Sequence, residues 1–245
     1  MGALCRKLLY TIGDIRQQIP LLRTAQSPLS QIGLKVGHCC CADSSDQSIV
    51  IIRGYERKTY LHTELKTEYE TERLRLVVSD PRLASAVSDY LLRNRTDFEY
   101  YDRHYGDITY TALYQESALK AERDLYQTQE GVRYYIFIKK DPDTVIGNIS
   151  FAYLHDKEHE PSLGYKIDRS YRREGYAYEA ASFLLPLVIK FCNLPYIAAD
   201  ALPENEASIG LLYKLGFKYA GIIPNAHEIL GVMRDHYRYV FDPCS

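Results

Sequence analysis

The sequence predicts an α/β (α+β) fold, and three stretches carry that reading. Ser162-Leu163-Gly164-Tyr165-Lys166-Ile167 reads as a strand, followed by a glycine-containing turn and a run of good helix formers from Tyr178 to Leu185. Val132 to Lys139 and Val145 to Leu154 are strand-like runs around Asp141-Pro142-Asp143, a turn signal that predicts an antiparallel hairpin. Leu74, Leu76 and Val78 alternate with Arg75, Val77 and Ser79 in a further strand. Asp80-Pro81 then stops it, as N-cap and first residue of a helix ending near Arg95.

The 245 residues suit one domain with an extension, or at most two small domains. Thirty basic against thirty-two acidic residues leave a net charge of -2, so no basic field points to nucleic acid or to an anionic membrane as partner. No apolar run reaches the roughly 18 residues of a membrane span. The start, Met1 to Arg6, makes neither a myristoylation signal nor a convincing signal peptide. Of the six cysteines, Cys5, Cys39, Cys40, Cys41, Cys192 and Cys244, three are consecutive, which is poor geometry for a disulfide framework or a tetrahedral zinc site. Reduced thiols in the cytoplasm are expected, and no metal: His38 beside the cysteine run supplies only one side of a coordination sphere. Tyrosine, at 23 residues, suits aromatic packing with polar tips and identifies no ligand.

Residues 1–69 show no sustained period and contain the Ser/Asp/Gln-rich piece Ala42 to Ser48. They read as a poorly ordered extension, ahead of a docking element or sequence upstream of the functional start. Residues 96–107 form an aromatic and charged connection, and a second helix runs from about Ile108 to Gln127. His155 to Glu160 reads as an exposed charged hairpin tip, with steering of a cationic amine or supply of a base as the other reading. Pro186 predicts a kink or an early end in the helix after the glycine turn.

The candidate chemistry starts at Arg172-Arg173-Glu174-Gly175-Tyr176-Ala177, the turn between that strand and that helix. A helix opening leaves several N–H groups without intrahelical partners and carries the positive end of the dipole, so a phosphate can accept those bonds. Gly175 lets the backbone come close, and Arg172 and Arg173 add positive charge where a pyrophosphate would otherwise be neutralised by solvent ions. An ordinary turn has the same residues, so the wider context decides.

That context is Asn205-Glu206-Ala207-Ser208 followed by a helix closing in Lys214-Leu215-Gly216-Phe217. Arg-x-x-Gly-x-Ala after a Gly-Tyr strand, then a strand at Tyr196 to Leu202, then Asn-x-x-Ser and Gly-Phe, resembles the GNAT superfamily of acetyl-CoA-dependent N-acetyltransferases. The opening Thr71-Glu72-Arg73-Leu74-Arg75-Leu76 is similar to its RimJ/RimL (ribosomal-protein-alanine N-acetyltransferase) branch, and the resemblance covers about residues 70 to 241. It implies a GNAT domain over residues 70–245, with a mixed, mostly antiparallel central sheet flanked by helices. The family's fourth and fifth strands, here Leu163 to Ile167 and Tyr196 to Leu202, would splay to form the acetyl-CoA groove.

The resemblance also implies site residues. Tyr165, Lys166 and Ile167 would bind the pantetheine arm through the backbone, with the N–H of Lys166 or Ile167 facing the developing oxyanion. Arg172, Arg173, Glu174, Gly175, Tyr176 and Ala177 would hold the pyrophosphate, and Asn205 the cofactor arm while also reading as a helix N-cap. Ser208 matches the serine proposed to assist the thiol, its other reading being a surface residue. The family's glutamate base falls on His227, with Glu228 adjacent. Many members use a tyrosine four residues before the Gly-Phe glycine, but Leu212 stands there and Tyr213 is rotated about 100° around the helix. Phe98, Tyr100, Tyr101 and Tyr105 are candidates for acceptor contact or for loop packing, and Asp235 and His236 read as structural. The expected reaction acetylates a primary amine, a protein N-terminus or a small amine, by a monomer or homodimer. A small-molecule or antibiotic acetyltransferase and a non-catalytic acyl-CoA-binding module are the alternatives.

Overall fold

The computed structural model describes residues 65–102 and 106–244. Most of the 1–69 extension, Tyr105, His38 and the cysteines before Cys192 therefore lie outside the described residues. In chain order the elements are strands β1 (Glu68–Glu70) and β2 (Leu74–Val78), and helices α1 (Ala84–Arg93), α2 (Arg95–Tyr101) and α3 (Ala112–Gln127). The hairpin strands β3 (Gly131–Ile138) and β4 (Asp141–Ala152) follow, then β5 (Ser162–Ile167) and helix α4 (Tyr176–Cys192). Strand β6 (Ile197–Ala201), helix α5 (Glu206–Lys214) and the ribbon β7 (Lys218–Ile229) and β8 (Val232–Phe241) complete the chain.

Among the described residues eight strands join one sheet in the order β1-β2-β3-β4-β5-β6-β8-β7, antiparallel at every pairing except β5 with β6. Period-two alternation sends Tyr134 and Ile136 of β3 to one face, and Tyr135 and Phe137 to the other. The first face packs on α4 through Ala180, Ala181, Leu184, Leu185 and Val188; the second packs on α1, α2 and α3 through Val87, Tyr90, Phe98 and Leu119. Two cores thus sandwich the sheet.

Several expectations are corrected. The hairpin turns at Lys139 and Lys140, and Asp141-Pro142-Asp143 already belongs to β4. Phe137 faces Val145 while Ile138 faces Asp141, so residues 142–144 bow out of the ladder, as suits a proline with no N–H to donate. The connection at 96–107 contains the short helix α2, and the helix expected from Ile108 begins at Ala112, after a 3-10 turn over Asp107–Tyr110. Residues 65–70 also join the fold: β1 pairs with β2, and the Tyr126 and Tyr134 hydroxyls donate to the Leu65 and Lys66 carbonyls.

Helix α4 does not end early at Pro186 but continues to Cys192. A mid-helix proline costs about 3 kcal/mol. Burial of Leu184, Leu185, Val188 and Ile189, each worth about 1.5–3 kcal/mol, outweighs it. Among the described residues no helix is long and apolar enough to cross a membrane, and no group of three or more His, Cys, Asp or Glu is placed to hold a metal ion.

Candidate active site

Strand β5 leads straight into the candidate phosphate turn. Asp168 caps a 3-10 turn over Arg169–Tyr171 by accepting the Ser170 N–H at 2.9 Å. Arg173 and Gly175 then take left-handed conformations at φ 65° and 82°, and Gly175 is the N-cap of α4. Among the described residues no side chain caps this helix, so its first N–H groups face outward at the positive end of a 17-residue dipole. Arg172, Arg173, Glu174 and Gly175 are all exposed, while Tyr176 and Ala177 are half-buried in the first turn.

Side chains from distant elements pin this turn. The Arg73 guanidinium donates to the Glu174 carbonyl at 2.9 Å and to Glu179 at 2.7 Å, and lies 4.4 Å from the Tyr176 ring centroid. Glu179 also accepts from the Thr71 hydroxyl and the Arg73 amide. Burial raises the Glu179 carboxyl, but these donors outweigh it and hold the group below its usual range. From the other side, Arg93 donates to buried Asp168 at 2.5 Å and to the Val145 carbonyl, and Asn94 accepts the Arg169 N–H at 2.9 Å. Arg172 is not free for a ligand, since its guanidinium lies 3.0 Å from Asp97 of α2 and donates to the Ile167 carbonyl. Sequence reasoning missed Arg93, Asp97, Asp168 and Glu179, and took Arg73 only as part of an opening motif. Spacings of 75 to 108 residues leave no local signal for such contacts.

Beside the turn the sheet opens. Strands β4 and β5 share six residue pairs, but among the described residues β5 and β6 share one, Ser162 with Ala198. The strands part above it, and one edge of β5 from Leu163 to Ile167, including Tyr165 and Lys166, faces the gap. Helix α5 starts at the far side of the opening. Asn205 is its N-cap and accepts the Ser208 N–H at 3.1 Å. The Ser208 hydroxyl lies 2.8 Å from the Tyr165 phenol, so Ser208 is joined to β5 rather than being an isolated surface group. Leu212 is fully buried, and Tyr213 is exposed and packs edge-on against Tyr239.

The acceptor-side candidates are more dispersed. Phe98 is buried against Tyr90, with the Lys166 ammonium 5.4 Å from its ring, while Tyr100 and Tyr101 form an exposed edge-on pair. Lys166 pairs with Asp102, just after α2. His227 and Glu228 are exposed on β7, and the His227 ring stands edge-on to buried His236, 4.9 Å between centroids. Burial, followed by the His227 charge, lowers the His236 pKa, so that imidazole is neutral at neutral pH. Asp235 accepts the Asn225 N–H. The tip at His155 to Glu160 folds on itself: Asp156 accepts the Glu158 and His159 amides, and Glu160 pairs with Arg238.

The family profile described as an acetyltransferase (GNAT) domain matches residues 73–218, from the arginine that clamps the turn to the start of β7. The chain belongs to this family. It is an acyltransferase with the GNAT fold, and RimJ/RimL-type acetyltransferases are among its structural neighbours. The uncharacterized N-acetyltransferase YoaA of Bacillus subtilis (strain 168) is 32% identical over 122 residues, 49% of this chain and 68% of that protein. The [ribosomal protein uS5]-alanine N-acetyltransferase of Escherichia coli (strain K12) is 24% identical over 175 residues, 70% of this chain and 88% of its own. Among solved structures, the ribosomal-protein-S5-alanine acetyltransferase of Vibrio fischeri superposes with a TM-score of 0.68 at 22% identity, covering 73% of this chain and 97% of that one. RimL in complex with coenzyme A gives 0.64 at 17% identity, covering 70% and 95%.

Proposed function

We propose that this GNAT protein transfers the acetyl group of acetyl-CoA to a primary amine, and that the amine is the N-terminus of a protein. The observation that carries the cofactor reading is the single residue pair between β5 and β6, beside a helix N-terminus that no side chain caps among the described residues. An amide-rich pantetheine arm extends β5 by hydrogen bonding along Tyr165, Lys166 and Ile167, and Asn205 contacts it from α5. The pyrophosphate takes the N–H groups of Tyr176 and Ala177 at the Gly175 turn, flanked by Glu174, Arg172 and Arg173. For this to involve Arg172, the phosphate displaces Asp97.

Acyl transfer then depends mainly on position. Holding amine and thioester at attack distance is worth about 7–11 kcal/mol at its best. Proton transfer by a side chain contributes about 10²- to 10⁴-fold, or about 3–5 kcal/mol. The amine attacks through the gap, a β5 N–H at Lys166 or Ile167 faces the oxyanion, His227 or Glu228 takes the ammonium proton, and Ser208 assists the departing thiol. The protein-amine reading draws on the relative named for acetylating an alanine of ribosomal protein uS5, and on exposed Tyr100 and Tyr101 beside the acceptor side.

Calorimetric titration of acetyl-CoA into the wild type and an Arg172→Ala, Gly175→Glu variant tests the cofactor reading. Thiol release with N-terminal peptides and small amines tests the acceptor. Wild-type binding lost in the variant, with release on alanine-ended peptides, is expected. Binding without release on any amine makes the chain a non-catalytic acyl-CoA module, and release on small amines alone makes it a small-molecule acetyltransferase.

A further inference from the structure

Strands β5 and β6 part above Ser162, yet side chains tie the two arms together again higher up. The Tyr165 phenol on β5 lies 3.1 Å from the Ser208 carbonyl oxygen and 2.8 Å from the Ser208 hydroxyl, in the first turn of α5. A phenol has one proton to give. Either oxygen can donate across the 2.8 Å contact: when the phenolic hydrogen goes to the carbonyl, which can only accept, the Ser208 hydroxyl is the donor to Tyr165. Asn205 holds the same turn by accepting the Ser208 N–H. The Ser208 hydroxyl is therefore paired with a residue on the opposite arm of the opening, which can either accept its hydrogen or donate to its oxygen.

The geometry points to Tyr165 as the positioning residue for Ser208, orienting its hydroxyl to stabilise the departing thiolate by hydrogen bonding without proton transfer. This rests on the acetyl-CoA reading above. In the reaction the amine nitrogen bonds to the thioester carbon and the carbonyl pair moves to oxygen. On collapse the C–S bond breaks and its electron pair stays on sulfur as a thiolate. Ser208 turns its hydrogen from Tyr165 to that sulfur, and Tyr165 turns its own from the Ser208 carbonyl to the Ser208 Oγ. Each oxygen keeps its proton, and the chain of two hydrogen bonds polarises towards the negative sulfur. The ammonium proton leaves separately to the acceptor-side base, and the thiolate is protonated by water.

The acidities agree with that division. Burial pushes the Tyr165 phenol up to about 12, although the Ser208 hydrogen bond works in the opposite direction. An unperturbed thiol titrates near roughly 8.5, so the thiolate is too weak a base to take the phenolic proton.

Steady-state kinetics on the full chain test the inference, with acetyl-CoA and an alanine-ended peptide, for Tyr165→Phe, Ser208→Ala, the double variant and Ser208→Thr. Tyr165→Phe is expected to lower kcat about tenfold while the KM for acetyl-CoA changes less than about twofold. Ser208→Ala should do at least as much, the double variant should fall no further than Ser208→Ala, and Ser208→Thr should restore most of the rate because it keeps the hydroxyl. The Tyr165→Phe effect should be constant from about pH 6 to about pH 9, since no proton is transferred. An unchanged kcat, losses that multiply, or a loss confined to the alkaline side overturns the inference. A kcat loss that tracks weakened acetyl-CoA binding or a lowered melting temperature also overturns it, because Tyr165 would then only brace the fold. A wild type that releases no thiol on any amine defeats the acetyl-transfer reading on which this inference rests, whereas an active wild type matched by Tyr165→Phe defeats this inference alone.

Discussion

Strand β5 has two neighbours, and the chain treats them differently: six residue pairs bind it to β4, and one binds it to β6. On the β4 side both faces of the sheet are covered, by α1 to α3 on one and by α4 on the other. On the other side, the β7–β8 ribbon leaves Ile222, Val232 and Met233 exposed. The closed half is a scaffold whose hydrogen bonds are spent on itself. The other half is laddered too, with five pairs between β6 and β8 and eight between β7 and β8, so among the described residues the pairing is missing, beyond one pair, at the seam of β5 and β6, where the Tyr165–Ser208 contact lies. Rigidity on one side is what allows a gap on the other to keep its shape.

The largest expected way to break this contrast is to loosen the closed side at Asp168. Asp168→Ala removes a buried carboxylate that holds Arg93 and caps the turn before Gly175. Arg93 is 37% exposed and can reach water, so the cost should fall below that of a fully buried pair, at about 2–3 kcal/mol. Chemical denaturation checks it, and an unchanged midpoint would mean that the turn is held by Arg73 alone. Acid should act on the same clamps. Burial raises Asp168 and Glu179, but their donors outweigh it, while Arg82 leads in holding Asp80 down to about 2. Groups whose folded pKa is depressed stabilise the fold above their unfolded values, near pH 4, and lose that contribution as pH falls through the folded ones. The denaturation midpoint should therefore drop steeply between about pH 4 and about pH 2, and less steeply in Asp168→Ala.

A smaller effect is expected where β4 meets β5. A Cβ on Gly147 would sit 2.6 Å from the Lys166 carbonyl oxygen and from Ile167 Cδ1. The side chain can turn away, but the carbonyl belongs to β5 and moves only if that strand does. Gly147→Ala should cost about 1–3 kcal/mol and weaken acetyl-CoA binding together with stability. Thermal unfolding and calorimetry on one sample check both; a drop in stability with intact binding would separate the strand's position from its function.

The smallest effect sharpens the contrast rather than breaking it. Asp97→Asn removes the partner that holds Arg172 at 3.0 Å. Both side chains are about a third exposed, so the pair is worth at most about 1 kcal/mol, and freeing Arg172 should tighten acetyl-CoA binding by about two- to fivefold. Calorimetry at low salt reads this directly, and unchanged affinity would show that Arg172 does not take part in phosphate binding.

Elements whose signals are local were legible. The alternation of Leu74, Leu76 and Val78, the Ser162 to Ile167 strand, the helix after Gly175 and the Asn205 N-cap are each decided by residues within a few positions of one another. The misread pieces also have local causes. Asp141-Pro142-Asp143 looked like a turn because proline and aspartate favour turns and bulges alike, and the chain used them as a bulge after a Lys139-Lys140 turn. The residues of α2 looked like a loop because seven residues give too short a run for helical periodicity to show.

The sequence by itself determined the order of strands and helices apart from β1 and α2, the glycine that opens α4 and the motif spacing that marks the family, since turn chemistry, periodicity and caps act over one or two turns of chain. Only the tertiary structure decided that Arg172 is drawn to Asp97, that Arg73 and Asp168 clamp the turn from opposite sides, and that Tyr165 meets Ser208 across the opening. Each of those joins residues 43 to 101 positions apart, or on separate elements. Their meeting depends on how strands are ordered in the sheet and on which faces the helices cover, and both follow from the packing of the whole core.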